Sequence, residues 1–304
     1  MPDKYIIIDN VTKDYGQGRG NFNISFDISK GEAVGIVGEN GAGKTTLMRQ
    51  LMGFIKSDSG KITINNLDAY KCAADTKRYI GYVPGEINFP DVKSGTIFLH
   101  SYAKMCGITD FEYADSLIKR LQLDIRAYPK RMSKGMKQKT AIVTAFMKHP
   151  PIVFLDEPTT GLDPLMRDEL LKIVLEEKNK GTTIFMSSNS IEELEKVCDR
   201  VILLSNGKIL DIADVNFIHN IDFRDFKFEF KEKEAYEKFK YSRTDIIREQ
   251  EKFNQLTLRV KKSNISILIR ELSNYDLRFF SEIKYDLTKY FEERRKGDNL
   301  YAKK

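Results

Sequence analysis

A chain of 304 residues, 41% hydrophobic and 31% charged, carries enough apolar surface to fold around cores of its own, and its length favours two domains. Intrinsic disorder is excluded, and so is a disulfide-stapled miniature: Cys72, Cys106 and Cys198 are too few, too scattered and odd in number for a disulfide framework or a metal knuckle. No stretch reaches the roughly 18 apolar residues of a spanning helix, and residues 1–10 (MPDKYIIIDN) lack a signal peptide's apolar core and cleavage pattern, so the expectation is a soluble, unexported chain in a reducing cytoplasm. The net charge of +6 lies below that of a dedicated nucleic-acid binder.

In chain order, YIII, NISFDIS and EAVGIVG read as strands, followed by KITINN, IGYVP, PIVFLDEP, TTIFMSS and RVILL with helical patterns between them. This alternation predicts an α/β domain with a largely parallel core. PIVFL and TTIFM are continuous apolar runs, as central strands covered on both faces require. Asn206-Gly207 between two apolar runs predicts a two-residue hairpin that closes the domain, about residues 1–215, at an antiparallel edge. No internal repeat, low-complexity tract or sustained heptad is present. From about residue 222 to 304 the pattern changes to FKFEFK, then KEAYEKFK at helical spacing, QLTLRV with period two, a helix opened by Ser263 or Asn264, a strand LRFFSEIK and a last helix, DLTKYFEERRK, with Asp286 as N-cap. This reads as a small α+β appendage. Residues 216–304 hold 21 of the 50 basic and 16 of the 44 acidic residues, so most of the excess positive charge lies here, as a solvated face or as a patch for a membrane headgroup or partner.

Residues 38–46, GENGAGKTT, satisfy GxxxxGK[ST] between a buried strand and a helical run, which is a Walker A loop. The glycines Gly38, Gly41 and Gly43 let backbone N–H groups curl around phosphate, Lys44 can reach the β- and γ-phosphates, Thr45 can ligate Mg²⁺ through its hydroxyl, and Asn40 and Thr46 are taken with them as nucleotide-binding. More than a hundred residues on, PIVFLDEPTTGLDP delivers Asp156 and Glu157 at the end of a buried strand, where adjacent side chains diverge. Asp156 suits a direct or indirect Mg²⁺ role, and Glu157 can orient or deprotonate an attacking water. Ser133 and Gly135 in RMSKGMKQ precede another helical run, where they either contact a second phosphate or simply cap the helix.

Walker A, SKGMKQ, FLDEP and GLDP in this order resemble the nucleotide-binding subunit of an ATP-binding cassette transporter, over about residues 4–215. The resemblance implies a P-loop ATPase domain with a RecA-like core, an antiparallel β subdomain and a helical subdomain at about residues 85–150. It also implies ATP and Mg²⁺ as cofactors. SKGMK is similar to the family's signature loop, so Ser133 and Gly135 would serve ATP on a second nucleotide-binding subunit, identical or related, in a head-to-tail dimer. Asp163 is similar to the interfacial aspartate of that dimer. Tyr15 in KDYG is similar to the aromatic that stacks on adenine; the alternative is a turn aromatic packed locally.

Two positions depart from the family pattern. Gly85, followed by Glu86, stands where the family has a glutamine that contacts Mg²⁺ and the attacking water. Asn189 stands where it has a histidine on the γ-phosphate, and asparagine can donate a hydrogen bond but cannot titrate near neutral pH. Hydrolysis slowed by about ten- to a hundredfold is the expectation, with Glu157 and Asn189 as the catalytic pair. His100, His149 and His219 offer no replacement and read as ordinary surface or capping residues. The resemblance points further, to exporters of drugs, antibiotics or peptides whose permease is a separate polypeptide. Residues 85–105 would then line the groove that receives the permease, and the chain would sit on the cytoplasmic face of the membrane without a nucleic-acid partner. A nucleotide-binding regulatory or structural subunit with negligible turnover is the competing reading; a soluble cassette acting on ribosomes or DNA would need a second cassette or a coiled-coil insertion, and neither is present.

Overall fold

The computed structural model describes residues 4–295; residues 1–3, which open the segment tested for a leader, and 296–304, which end the appendage and include Lys296 of the expected last helix, lie outside the described residues. The chain divides into two compact units, Met1–Val215 and Asn216–Lys304. Among the described residues no helix is long and apolar enough to cross a membrane.

In the first unit, the runs AVGIV, IVFL and IFM carry no polar side chain, and the strands that contain them, Ala33–Val37, Ile152–Asp156 and Thr183–Ser188, are fully buried, with the polar residues at their ends. They join a six-stranded sheet in the order Lys208–Asp214, Arg200–Ser205, Ala33–Val37, Thr183–Ser188, Ile152–Asp156, Ile80–Val83. All neighbours are parallel except the first pair, which the Asn206-Gly207 turn joins as an antiparallel edge; both turn residues have positive φ, 47° and 71°. A second, antiparallel sheet contains Lys4–Asp14 and Gly20–Ser29 with Ser59–Ile64 and Leu67–Asp68. One core spans both sheets: Ile6, Ile24 and Phe26 of one join Ile36, Phe154 and Phe185 of the other, together with Leu47, Met48 and Leu51 of the helix Lys44–Leu51. Phe26 and Phe185 meet at 5.7 Å between ring centroids. Between Ile80–Val83 and Ile152–Asp156 the chain is helical, with Gly95–Cys106, Glu112–Arg120 and Lys134–Phe146.

The second unit is a four-stranded antiparallel sheet in the order Ile246–Gln250, Gln255–Lys261, Phe223–Phe230, Leu277–Ile283, with the chain order strand–helix–strand–strand–helix–strand. That is the split βαβ arrangement. The period-two run FKFEF puts Phe226, Phe228 and Phe230 on one face, where Tyr236 and Phe239 of Lys233–Tyr241 and Leu268 and Leu272 of Ile265–Leu272 cover them. The latter helix begins after a short 3₁₀ turn, Lys262–Asn264, and neither Ser263 nor Asn264 caps it through its side chain. Asp286 does cap the last helix, Leu287–Arg295, accepting from Lys289 N at 3.0 Å.

Asp225, fully buried, anchors that last helix. Arg259 grips it from Nε at 2.8 Å and from its second nitrogen at 2.9 Å, Lys289 also donates to it, and Arg259 reaches Glu293 at 3.0 Å. Burial works to raise the Asp225 carboxyl, but Arg259 and Lys289 outweigh it and hold the group below its ordinary value. Removing one partner of such a cluster strands the others, so Asp225→Ala is expected to cost the second unit about 3–5 kcal/mol, read from hydrogen exchange of the strand Gln255–Lys261. Because the folded value is depressed, the contribution is complete above the unfolded value of about 3.9 and is lost as pH falls through the folded one; the same exchange measurement against pH should show it.

Candidate functional site

The phosphate loop lies between the end of Ala33–Val37 and the helix Lys44–Leu51. Gly43 takes φ 109° at the helix start, a conformation closed to L side chains, and a Cβ there would overlap the buried Asn21. Lys44 is only 4% exposed. Its ammonium donates to the carbonyls of Gly38 at 2.7 Å and Glu39 at 3.3 Å and to Asn189 Oδ1 at 2.8 Å, and stands 3.6 Å from Glu157 Oε1. Three separate parts of the chain thus meet at one cation.

The sheet order brings them together. Thr183–Ser188 lies between Ala33–Val37 and Ile152–Asp156, so the ends carrying the loop, Asn189 and the Asp156-Glu157 pair are neighbours. Ser187, which sequence reasoning missed, organises the pair: its hydroxyl donates to Asp156 Oδ1 at 2.7 Å and accepts from Glu157 N at 2.9 Å. Glu157 has φ 49°, the left-handed region, a strained conformation for a residue with a side chain. Glu193, also missed, is buried beneath the turn and accepts from Ser188 at 2.7 Å and Thr159 at 2.9 Å, bracing both strand ends. Its only signal was a glutamate at N3 of a helix that Ser190 caps, a capping pattern in which a side-chain role elsewhere is invisible.

Asp156 is fully buried, and burial raises its carboxyl above the usual range. Its Oδ2 has no hydrogen-bond partner. A Cβ at Gly85 would stand 3.1 Å from that oxygen. Both line a cavity of about 390 Å³ with Thr45, Arg49, Glu86 and Glu157. An unpartnered buried carboxylate oxygen in a cavity shared with the Thr45 hydroxyl fits a hard divalent cation. Among the described residues no group of three or more His, Cys, Asp or Glu could hold a metal ion.

A second depression, about 440 Å³, is lined by Tyr15, Asn40, Gly41, Gly43, Lys44, Thr45, Thr46 and Glu157, with Arg19, a residue not singled out from sequence. Tyr15 lines it, 54% exposed, with the Lys13 ammonium 5.7 Å from its ring centroid. Ser133, Gly135 and Asp163 do not line this depression. Ser133 caps Lys134–Phe146 by accepting from Met136 N at 3.2 Å, and Asp163 caps Pro164–Asn179 by accepting from Met166 N at 3.0 Å. His100 stacks on Phe111 at 4.4 Å and His149 on Tyr113 at 4.1 Å; His219 ends the helix Val215–His219.

A Walker A loop feeding a helix, on a parallel sheet whose strand ends supply paired carboxylates, defines a P-loop nucleotide-binding domain. The profile described as "ABC transporter" matches residues 22–160. The chain is 35% identical over 210 residues to the linearmycin resistance ATP-binding protein LnrL of Bacillus subtilis (strain 168), covering 67% of this chain and 68% of that protein. It is 31% identical over 292 residues to the uncharacterized ABC transporter ATP-binding protein YhcH of the same organism, covering 94% and 92%. The solved "Structure of ATP binding subunit of ABC transporter" matches with TM-score 0.65 at 29% identity over 71% of this chain and 92% of that one. The protein belongs to the ABC transporter family, as an ATP-binding subunit, and the resemblance read from its motifs is borne out at that level.

Gly135 lies in the first turn of its helix, where a Cβ would come within 2.8 Å of the Gly161 carbonyl. Gly135→Ala is therefore expected to destabilise the first unit by about 1–3 kcal/mol through overpacking against backbone, seen as a lower urea midpoint with unchanged slope.

Proposed function

We propose that this subunit binds and hydrolyses ATP to drive a separate membrane permease, and that the cargo is exported and belongs to the drug, antibiotic or peptide class. The observation that carries the ATPase reading is the Glu157 carboxylate, 3.6 Å from Lys44 across the mouth of the phosphate loop. The name of the linearmycin resistance relative supports the cargo class.

In this reading the loop from Gly38 to Thr46 wraps the phosphates, Lys44 exchanges its bond to Asn189 for phosphate oxygens, and Tyr15 stacks on adenine. Thr45 and Asp156 hold Mg²⁺, which when bound neutralises charge developing on the phosphates. Glu157 orients and polarises the attacking water, and Asn189 donates through its amide to the γ-phosphate. Ser133, Gly135 and Asp163 act on the site of a second nucleotide-binding subunit, identical or related. The domains run over 1–215 and 222–304, the subunit works from the cytoplasmic face of the membrane, and nucleic acid is not among its partners.

A second reading, a nucleotide-gated structural subunit with negligible turnover, is favoured by Gly85, which sets no side chain beside Asp156 Oδ2, and by Asn189 in place of a titratable group. Steady-state ATP turnover of the purified chain separates the two. Lys44→Ala should abolish nucleotide binding, Glu157→Gln should reduce turnover to background while ATP still binds, and Asn189→His should raise the rate by about ten- to a hundredfold. Wild-type turnover equal to that of Glu157→Gln would favour the structural reading.

A further inference from the structure

The strand Gly20–Ser29 sends a fully buried carboxamide, that of Asn21, against the back of the phosphate loop. A Cβ at Gly43 would lie 2.1 Å from this carboxamide, so Asn21 occupies the space that only a glycine leaves open. With its nitrogen toward Gly43, the amide donates to the Gly20 and Gly43 carbonyls and its oxygen accepts from Leu47 N, each at 3.1 Å; turned the other way it would set oxygen against oxygen. Asn21 also bonds at 3.1 Å to the buried carboxamide of Gln50, which bonds in turn to the Ser57 hydroxyl at 2.8 Å.

Leu47 N and the Gly43 carbonyl are the two ends of the bond that opens the helix Lys44–Leu51, 3.0 Å long, so Asn21 grips both. The preceding peptide is held from another part of the chain. Gly207 N, in the Asn206-Gly207 turn, donates to the Ala42 carbonyl at 2.9 Å, and the Gly207 carbonyl accepts from Phe22 N at 2.8 Å. A trans peptide is planar, with its carbonyl and N–H pointing opposite ways. Holding the Ala42 and Gly43 carbonyls therefore aims the N–H groups of Gly43 and Lys44 away from the brace, toward the depression that both residues line. Stability does not call for the Asn21–Gln50 pair, because two facing buried carboxamides can be exchanged for apolar side chains of like shape at almost no cost. What apolar side chains could not supply is a donor for the Gly43 carbonyl.

We infer that Asn21, seated by Gln50, is a positioning residue for the phosphate loop: it fixes the Gly43–Lys44 peptide, so that the loop is set for phosphate before nucleotide arrives. The brace is a matter of geometry; its effect on nucleotide rests on the part given to the loop in the proposed function.

Calorimetric titration of the full chain with ADP and Mg²⁺, comparing wild type with Asn21→Leu, Gln50→Leu and the double variant, tests it. Asn21→Leu should weaken ADP binding by about tenfold and Gln50→Leu by about threefold, each with a full complement of sites. The double variant, in which two leucines face each other, should keep a Tm close to that of wild type yet bind no better than Asn21→Leu alone, since Gln50 acts through Asn21. In nucleotide-free protein, hydrogen exchange of the amides of residues 43–47 should quicken by about tenfold in Asn21→Leu. An unchanged dissociation constant, or fewer sites at the wild-type constant, would mark a purely structural role and overturn the inference, as would unchanged exchange at 43–47. If Asn21→Leu does not fold, Gln50→Leu carries the same two readouts. If wild type does not bind ADP, or Lys44→Ala binds it as wild type does, the part given to the loop in the proposed function fails, and exchange alone decides whether Asn21 holds the loop.

Discussion

The buried ammonium of Lys44 is the constraint on which the rest of the first unit turns. A cation withdrawn from water must be matched by oxygen atoms or it destabilises the fold by several kcal/mol. Here the matching atoms come from three strand ends: the Gly38 and Glu39 carbonyls, the Asn189 amide and the Glu157 carboxylate. Residues 145 positions apart can satisfy one ammonium only if Thr183–Ser188 is threaded between the strand before the loop and the strand before Glu157. Strand order and site chemistry are therefore the same requirement seen at two scales. The crevice at the ends of parallel strands is where α/β sheets generally bind their ligands, and Lys44 shows the physical reason in this chain.

What could be read from the sequence follows the range over which the determining interactions act. The phosphate loop, the Asn206-Gly207 hairpin and the apolar-cored strands depend on neighbours in sequence, and all three appear in the structure where residue type placed them. Ser187 and Glu193 were not legible, because their partners Asp156 and Thr159 lie 31 and 34 residues away and are reached only once the sheet is ordered. The two readings of Ser133 also differ in range. Capping is local and is seen directly, whereas contact with another subunit's phosphate needs a surface that one chain does not contain. Asp225 is the same case in the second unit: an aspartate within an aromatic strand gives no hint of Arg259 or Lys289, which are supplied by a neighbouring strand and by the last helix.

The two units solve the burial problem differently. The first covers a mostly parallel sheet on both faces and uses long apolar runs. The second is antiparallel: aromatic rings fill one face of its central strand, and the other face carries ion-paired groups that the last helix covers at one end. The YhcH relative aligns over 94% of this chain, so the second unit falls within the region the two share.

Glu157 carries a consequence of its own. A residue with a side chain held at φ 49° costs the fold about 1 kcal/mol or more relative to glycine, here at the head of a turn that Thr160 N closes on the Glu157 carbonyl. In that conformation the carboxylate stands 3.6 Å from Lys44 while the backbone N–H bonds to Ser187. At this position, heat resistance and retention of the carboxylate beside Lys44 point to different amino acids. A library screened for thermal survival alone should drift toward glycine at 157, and so return sturdier variants that lack the carboxylate beside Lys44.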